Sequence, residues 1–138
     1  MRFFYLILFL VTISACSTTG KIEATGFKTL SFGTGGGFTN EVKTYSLLPD
    51  GALWLHNSLS HDSTFVNHVS KGKVRKAYVG AQALGLDTLC YSNPDNRYSF
   101  ITVGGESSSN KIVWGNNQSS LPEGVNPFFT TLMELISK

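Results

Sequence analysis

The feature that most constrains this chain is an unbroken apolar run at its start. Phe3 to Val11 is nine consecutive apolar or aromatic residues behind a single cation, Arg2. A helix needs about 20 such residues to cross the roughly 30 Å hydrocarbon core of a bilayer. The run is too short for that, but it has the length of the apolar segment of an export signal, about 7–15 residues. Residues used this way are removed and add nothing to a folded core. Taking the first 15 from the 138 residues leaves 123, and Arg2 goes with them, so 10 Lys and Arg face 9 Asp and Glu. That length suits one domain. Charged residues make up 14% of the chain. This is too few for a highly charged disordered chain, or for the dense basic stripe of a nucleic-acid binder.

Directly after the run comes Ile13-Ser14-Ala15-Cys16. An aliphatic residue, two small residues and a cysteine at this position resemble the lipobox of bacterial lipoproteins. In that family the thiol receives a diacylglycerol, a signal peptidase cuts before the cysteine, and the new amino group is acylated. The resemblance implies that Cys16 is the lipidated residue and the mature N-terminus. One acyl chain gives marginal, reversible membrane binding, whereas two give a stable anchor. The expected organisation is residues 1–15 as lipoprotein signal peptide, 16–26 as lipidated cysteine and polar tether, and 27–138 as the domain. Ser17, where an inner-membrane retention signal would place Asp, points to the cell envelope at the outer membrane. With Cys16 lipidated, Cys90 is the sole free thiol. Its neighbours Leu89 and Tyr91 predict a buried small hydrophobe.

In the domain, Phe27–Phe32 mixes aromatic, β-branched and polar residues as a strand does. Gly33-Thr34-Gly35-Gly36-Gly37 interrupts it. Val42–Leu47 alternates again, Pro49-Asp50-Gly51 is a turn, and Leu53–His56 is the returning strand. Ser58–Ser70, rich in Ser, His, Asn and Asp, reads as a loop. Val74, Ala77, Tyr78, Ala81 and Leu84 then share one helical face, with Gly85 placed to end the helix. Asn93–Asn96 is a turn. Tyr98–Val103 and Lys111–Trp114 are two strands joined by a polar loop. Asn126 and Pro127 predict a helix start, and Phe128, Phe129, Leu132, Met133 and Ile136 form its apolar stripe. The expectation is an α+β single small domain, an antiparallel sheet with two helices in the order β-β-β-α-β-β-α.

Few constellations carry chemistry. The glycine stretch lacks the spacing of a phosphate loop and leads into a strand, not the helix such loops feed. Its glycines instead suit a hairpin connection or bulge. They also let another backbone approach closely, so Gly35, Gly36, Gly37 and Phe38 are the candidate partner-binding residues. His56, His61 and His68 are spaced five and seven apart, without the short regular spacing common in zinc sites. A metal-dependent module on these loop histidines is an alternative. No hydrolase signature and no paired carboxylates occur, so neither a catalytic residue nor a cofactor is assigned. Trp54 and Trp114 are expected in the core.

Gly35-Gly36-Gly37-Phe38-Thr39, Tyr45-Ser46-Leu47, Pro49-Asp50-Gly51, Asn93–Tyr98 and Val113-Trp114-Gly115 together resemble small Bacteroidota lipoproteins, a group that brings no assigned activity. Gly36-Gly37-Phe38, Pro94-Asp95 and Tyr98 also resemble the plan of emfourin-type inhibitors of thermolysin-like metalloproteases. Departures from that plan are the lipid anchor, longer loops around His61 and Ser107, and Asn40 where a small residue is usual. The function expected is a membrane-anchored cell-envelope lipoprotein with a non-catalytic protein-binding domain. It is held to the membrane by its acyl chains, has a protein partner and does not bind nucleic acid. An emfourin-like inhibitor is the second expectation.

Overall fold

A computed structural model describes residues 25–137. The signal segment, Cys16 and most of the tether lie outside the described residues. The strands are β1 (Thr29–Gly36), β2 (Glu41–Leu47), β3 (Ala52–Asn57), β4 (Ser63–His68), β5 (Ser92–Asn93), β6 (Arg97–Gly104) and β7 (Ser109–Trp114). The helices are α1 (Lys71–Ala83), between β4 and β5, and α2 (Val125–Met133), after β7. They make one α+β domain with a seven-stranded sheet in the order β4-β3-β2-β1-β6-β7-β5. Every pairing is antiparallel except the short β5–β7 pair.

The expected architecture holds, with two strands added. The segment read as a loop at Ser58–Ser70 contains β4, and the turn read at Asn93–Asn96 begins on the second of the two residues of β5. β4 hides from a pattern reading because it lies at the edge of the sheet and carries a register shift opposite Leu53 and Trp54. Such a bulge breaks the two-residue alternation that marks a strand.

The core lies between one sheet face and the two helices. Leu30 and Phe32 of β1, Leu47 of β2, Leu53 of β3, Ile101 and Val103 of β6, and Ile112 and Trp114 of β7 point to this face and are buried. From α1, Val74, Ala77, Tyr78 and Ala81 meet them, at the predicted spacing. The Tyr78 hydroxyl donates to the Leu47 carbonyl at 2.9 Å inside the core. Burial, reinforced by the Asp50 carboxylate, pushes its phenol far above the usual tyrosine range, and a backbone hydrogen bond at Leu30 opposes this. The helix ends as expected. Gly85 has φ +62°, its N–H bonds to Gln82 O, and Leu86 N–H bonds to Ala81 O. That pair of hydrogen bonds is the Schellman stop.

The start of α2 differs from expectation. Gly124, with φ +88°, takes the cap position, and Asn126 and Pro127 lie inside the first turn. Val125 is buried, so the apolar stripe Val125, Phe129, Leu132 begins earlier than the Asn-Pro pair suggests. Pro127 is tolerated there because the first turn of a helix has no use for its N–H. Phe128 is half-buried and lies against Gly80 of α1, where a Cβ would come within 2.7 Å of its ring. The glycine lets the helices approach. Asn67 of β4 donates to Leu135 O at 3.0 Å and ties the chain end to the sheet.

Two other residues depart from expectation. Cys90 is exposed rather than buried, because the segment after α1 runs along the surface once Leu86 has entered the core. Trp114 is buried, but Trp54 is 40% exposed on the sheet face opposite the helices. It packs edge-on against Phe65 with centroids 5.5 Å apart.

Candidate functional site

At the β1–β2 end of the sheet the helix-facing surface changes from apolar to polar. Beyond Phe32 and Ile101, neighbouring strands bring Lys43, Thr34 and Ser99 into one row and Glu41, Gly36 and Arg97 into the next. Neither row is buried. The missing side chain at Gly36 leaves a depression between the Glu41 carboxylate and the Arg97 guanidinium. With Asn116 and Gln118 from the segment after β7 as a wall, these residues border an open groove of about 540 Å³.

The glycines make this shape possible. Gly36 and Gly37 have φ +91° and +81°, a region L side chains avoid at a cost of about 1–2 kcal/mol per residue. A Cβ on Gly36 would run into the Asn96 carbonyl, which also accepts the Gly37 N–H at 2.8 Å. Gly35, on the opposite face, lets the Tyr98 ring lie flat across the strand, within 2.5 Å of where a Cβ would be. So the stretch expected to interrupt the first strand instead continues it as far as Gly36 and then turns. Asn40, in the left-handed region at φ +52°, completes the turn, and its N–H bonds to Gly37 O at 3.1 Å. Phe38, at the tip, is fully exposed.

The charges are unevenly committed. Glu41 accepts a hydrogen bond from Asn57 at 2.7 Å and lies 3.8 Å from the Lys43 ammonium. Arg97 has no ion pair among the described residues. The groove therefore offers one uncompensated cation beside one exposed aromatic ring.

All four predicted binding residues, Gly35, Gly36, Gly37 and Phe38, border this groove. Lys43, Glu41, Asn116 and Gln118 were not singled out by sequence reading, and Arg97 entered it only within the Asn93–Tyr98 resemblance, not as a binding residue. Strand alternation relates Arg97 to Ser99, but only the register places them beside Gly36 and Thr34. Pro94-Asp95 and Tyr98 approach the same end, with Asp95 packed against Gly115. The histidines lie elsewhere. His56 is on β3, with its Nδ1 3.3 Å from Ser63 Oγ, His61 ends the β3–β4 turn, and His68 closes β4. The described residues contain no group of three His, Cys, Asp or Glu side chains arranged to hold a metal ion.

No protein-family model matches the chain, and no curated protein matches it. Among the described residues, no helix is long and apolar enough to cross a membrane.

Proposed function

We propose that this chain is a cell-envelope lipoprotein, anchored through acyl chains on Cys16, whose domain binds a protein partner at the Phe38 end of the sheet without catalysing a reaction. The observation that carries the reading is the fully exposed Phe38 ring at the tip of a tight turn, beside a groove bordered by Arg97, which has no ion pair among the described residues. An exposed aromatic next to an exposed guanidinium has the composition of an interaction hot spot. The uncompensated positive charge favours an acidic surface on the partner.

A narrower reading has the same support. Gly36-Gly37-Phe38, Pro94-Asp95 and Tyr98, which carry the emfourin resemblance, meet at this one end of the domain, and the partner would then be a thermolysin-like protease. One experiment tests both readings. A photo-crosslinking amino acid at position 38, in the native membrane, should give a discrete adduct identified by mass spectrometry. Arg97→Glu should abolish the adduct while leaving folding intact. A metalloprotease in the adduct favours the inhibitor. Absence of any adduct at position 38 would count against binding at this end.

A further inference from the structure

We propose that β4 is a self-pairing edge through which two copies of this chain form a two-fold dimer. The sheet has two edges. One is β5, two residues long; the other is β4, six residues long, which pairs only with β3 among the described residues. An edge strand presents unpaired N–H and C=O groups that template another strand, and proteins usually blunt it with Lys, Pro or other charges. Ser63-Thr64-Phe65-Val66-Asn67-His68 has no Lys, Arg, Asp, Glu or Pro. Its bulge adds local twist, and among the described residues no second strand pairs with its outer row of backbone groups.

The asymmetry of the two edges selects the occupant. Head-to-tail growth would join β4 of one copy to β5 of the next, and two residues at β5 cannot match six. Of the two self-pairings, β5 with β5 would join only two residues of each copy, whereas β4 with β4 joins six; the latter is antiparallel across a two-fold axis and closes as a dimer instead of extending as a fibre. Like charges opposite one another would destabilise such a pair, and β4 has none to oppose. The pairing also covers an apolar liability. Phe65, 51% exposed, stacks edge-on with the exposed Trp54, and an added strand brings the partner's own Phe65 side against this pair. A groove of about 530 Å³ runs beside the same edge, between β4 and the turn after α2.

The test uses the full lipidated chain in mild detergent. Sedimentation velocity at about 50 µM, well above a micromolar Kd, should give twice the protomer mass after correction for bound detergent. Phe65→Lys places a charge at the pairing edge and should return the mass to one protomer, with an unchanged circular-dichroism spectrum. A wild-type protomer at this concentration, or a dimer that survives Phe65→Lys, overturns the proposal. Should Phe65→Lys misfold, hydrogen exchange on the wild type decides. The β4 amides should become slower to exchange as concentration rises, and exchange independent of concentration overturns the pairing.

Discussion

Tyr78 combines the chemistry of a core residue with a hydroxyl that needs a partner. Its O–H finds the Leu47 carbonyl, so Tyr78→Phe removes one buried hydrogen bond, worth about 1 kcal/mol. The pH dependence is more specific. In the fold the phenol is held neutral far above its ordinary range, whereas in the unfolded chain it ionises near pH 10. Below that pH both states keep the proton and the stabilisation is complete. Above it the unfolded state binds fewer protons, and stability falls as pH rises. Urea midpoints from about pH 8 to about pH 11 should fall more steeply for the wild type than for Tyr78→Phe. Parallel curves would mean that Tyr78 is not held neutral.

The elements show what a pattern reading captures. α1 was legible because its buried residues Val74, Ala77, Tyr78 and Ala81 repeat with the helical period and Gly85 ends it. β6 and β7 were legible because aromatic and β-branched residues alternate between two turns. β4 was not, since an edge strand buries little and its bulge scrambles the alternation. Half of the candidate site was visible for a local reason: successive glycines before Phe38 announce a turn that another backbone can approach. The other half, Arg97 and Lys43, depends on pairings between strands distant in sequence, which no local pattern encodes. Cys90 was misread because apolar neighbours in sequence do not make an apolar neighbourhood in space. Two glycine substitutions separate conformational need from simple occupancy. Gly36→Ala forces a side chain into the left-handed region and against Asn96, and should destabilise by about 1–2 kcal/mol or more. Gly72→Ala, in the first turn of α1 with open space around it, should stabilise by up to about 1 kcal/mol. Opposite shifts in thermal midpoint are expected, and equal shifts would remove the strain argument.

At the scale of the whole molecule, the sheet presents three surfaces with different uses. The helix-covered face supplies the core. The polar end near Phe38 and the β4 edge, which pairs only with β3 among the described residues, are separate sites on one domain, one proposed for a foreign partner and one for a second copy. The anchor has its own test. Cys16→Ala should leave an unprocessed precursor that takes up no radiolabelled fatty acid. A mature, membrane-bound, acylated Cys16→Ala protein would refute the lipid-anchor proposal.

The place of β1 in the sheet has a mechanical consequence. This first described strand is also the central one, flanked by β2 on one side and β6 on the other along nearly its whole length. Tension applied through the residues preceding Thr29 therefore loads the middle of the sheet. A pull along the strand axis meets two rows of interstrand hydrogen bonds in shear, so many must break together; at a frayed edge they would open in succession. A domain held from this end is gripped by a strand paired on both sides along nearly its whole length, and its peripheral strands stay outside the load path.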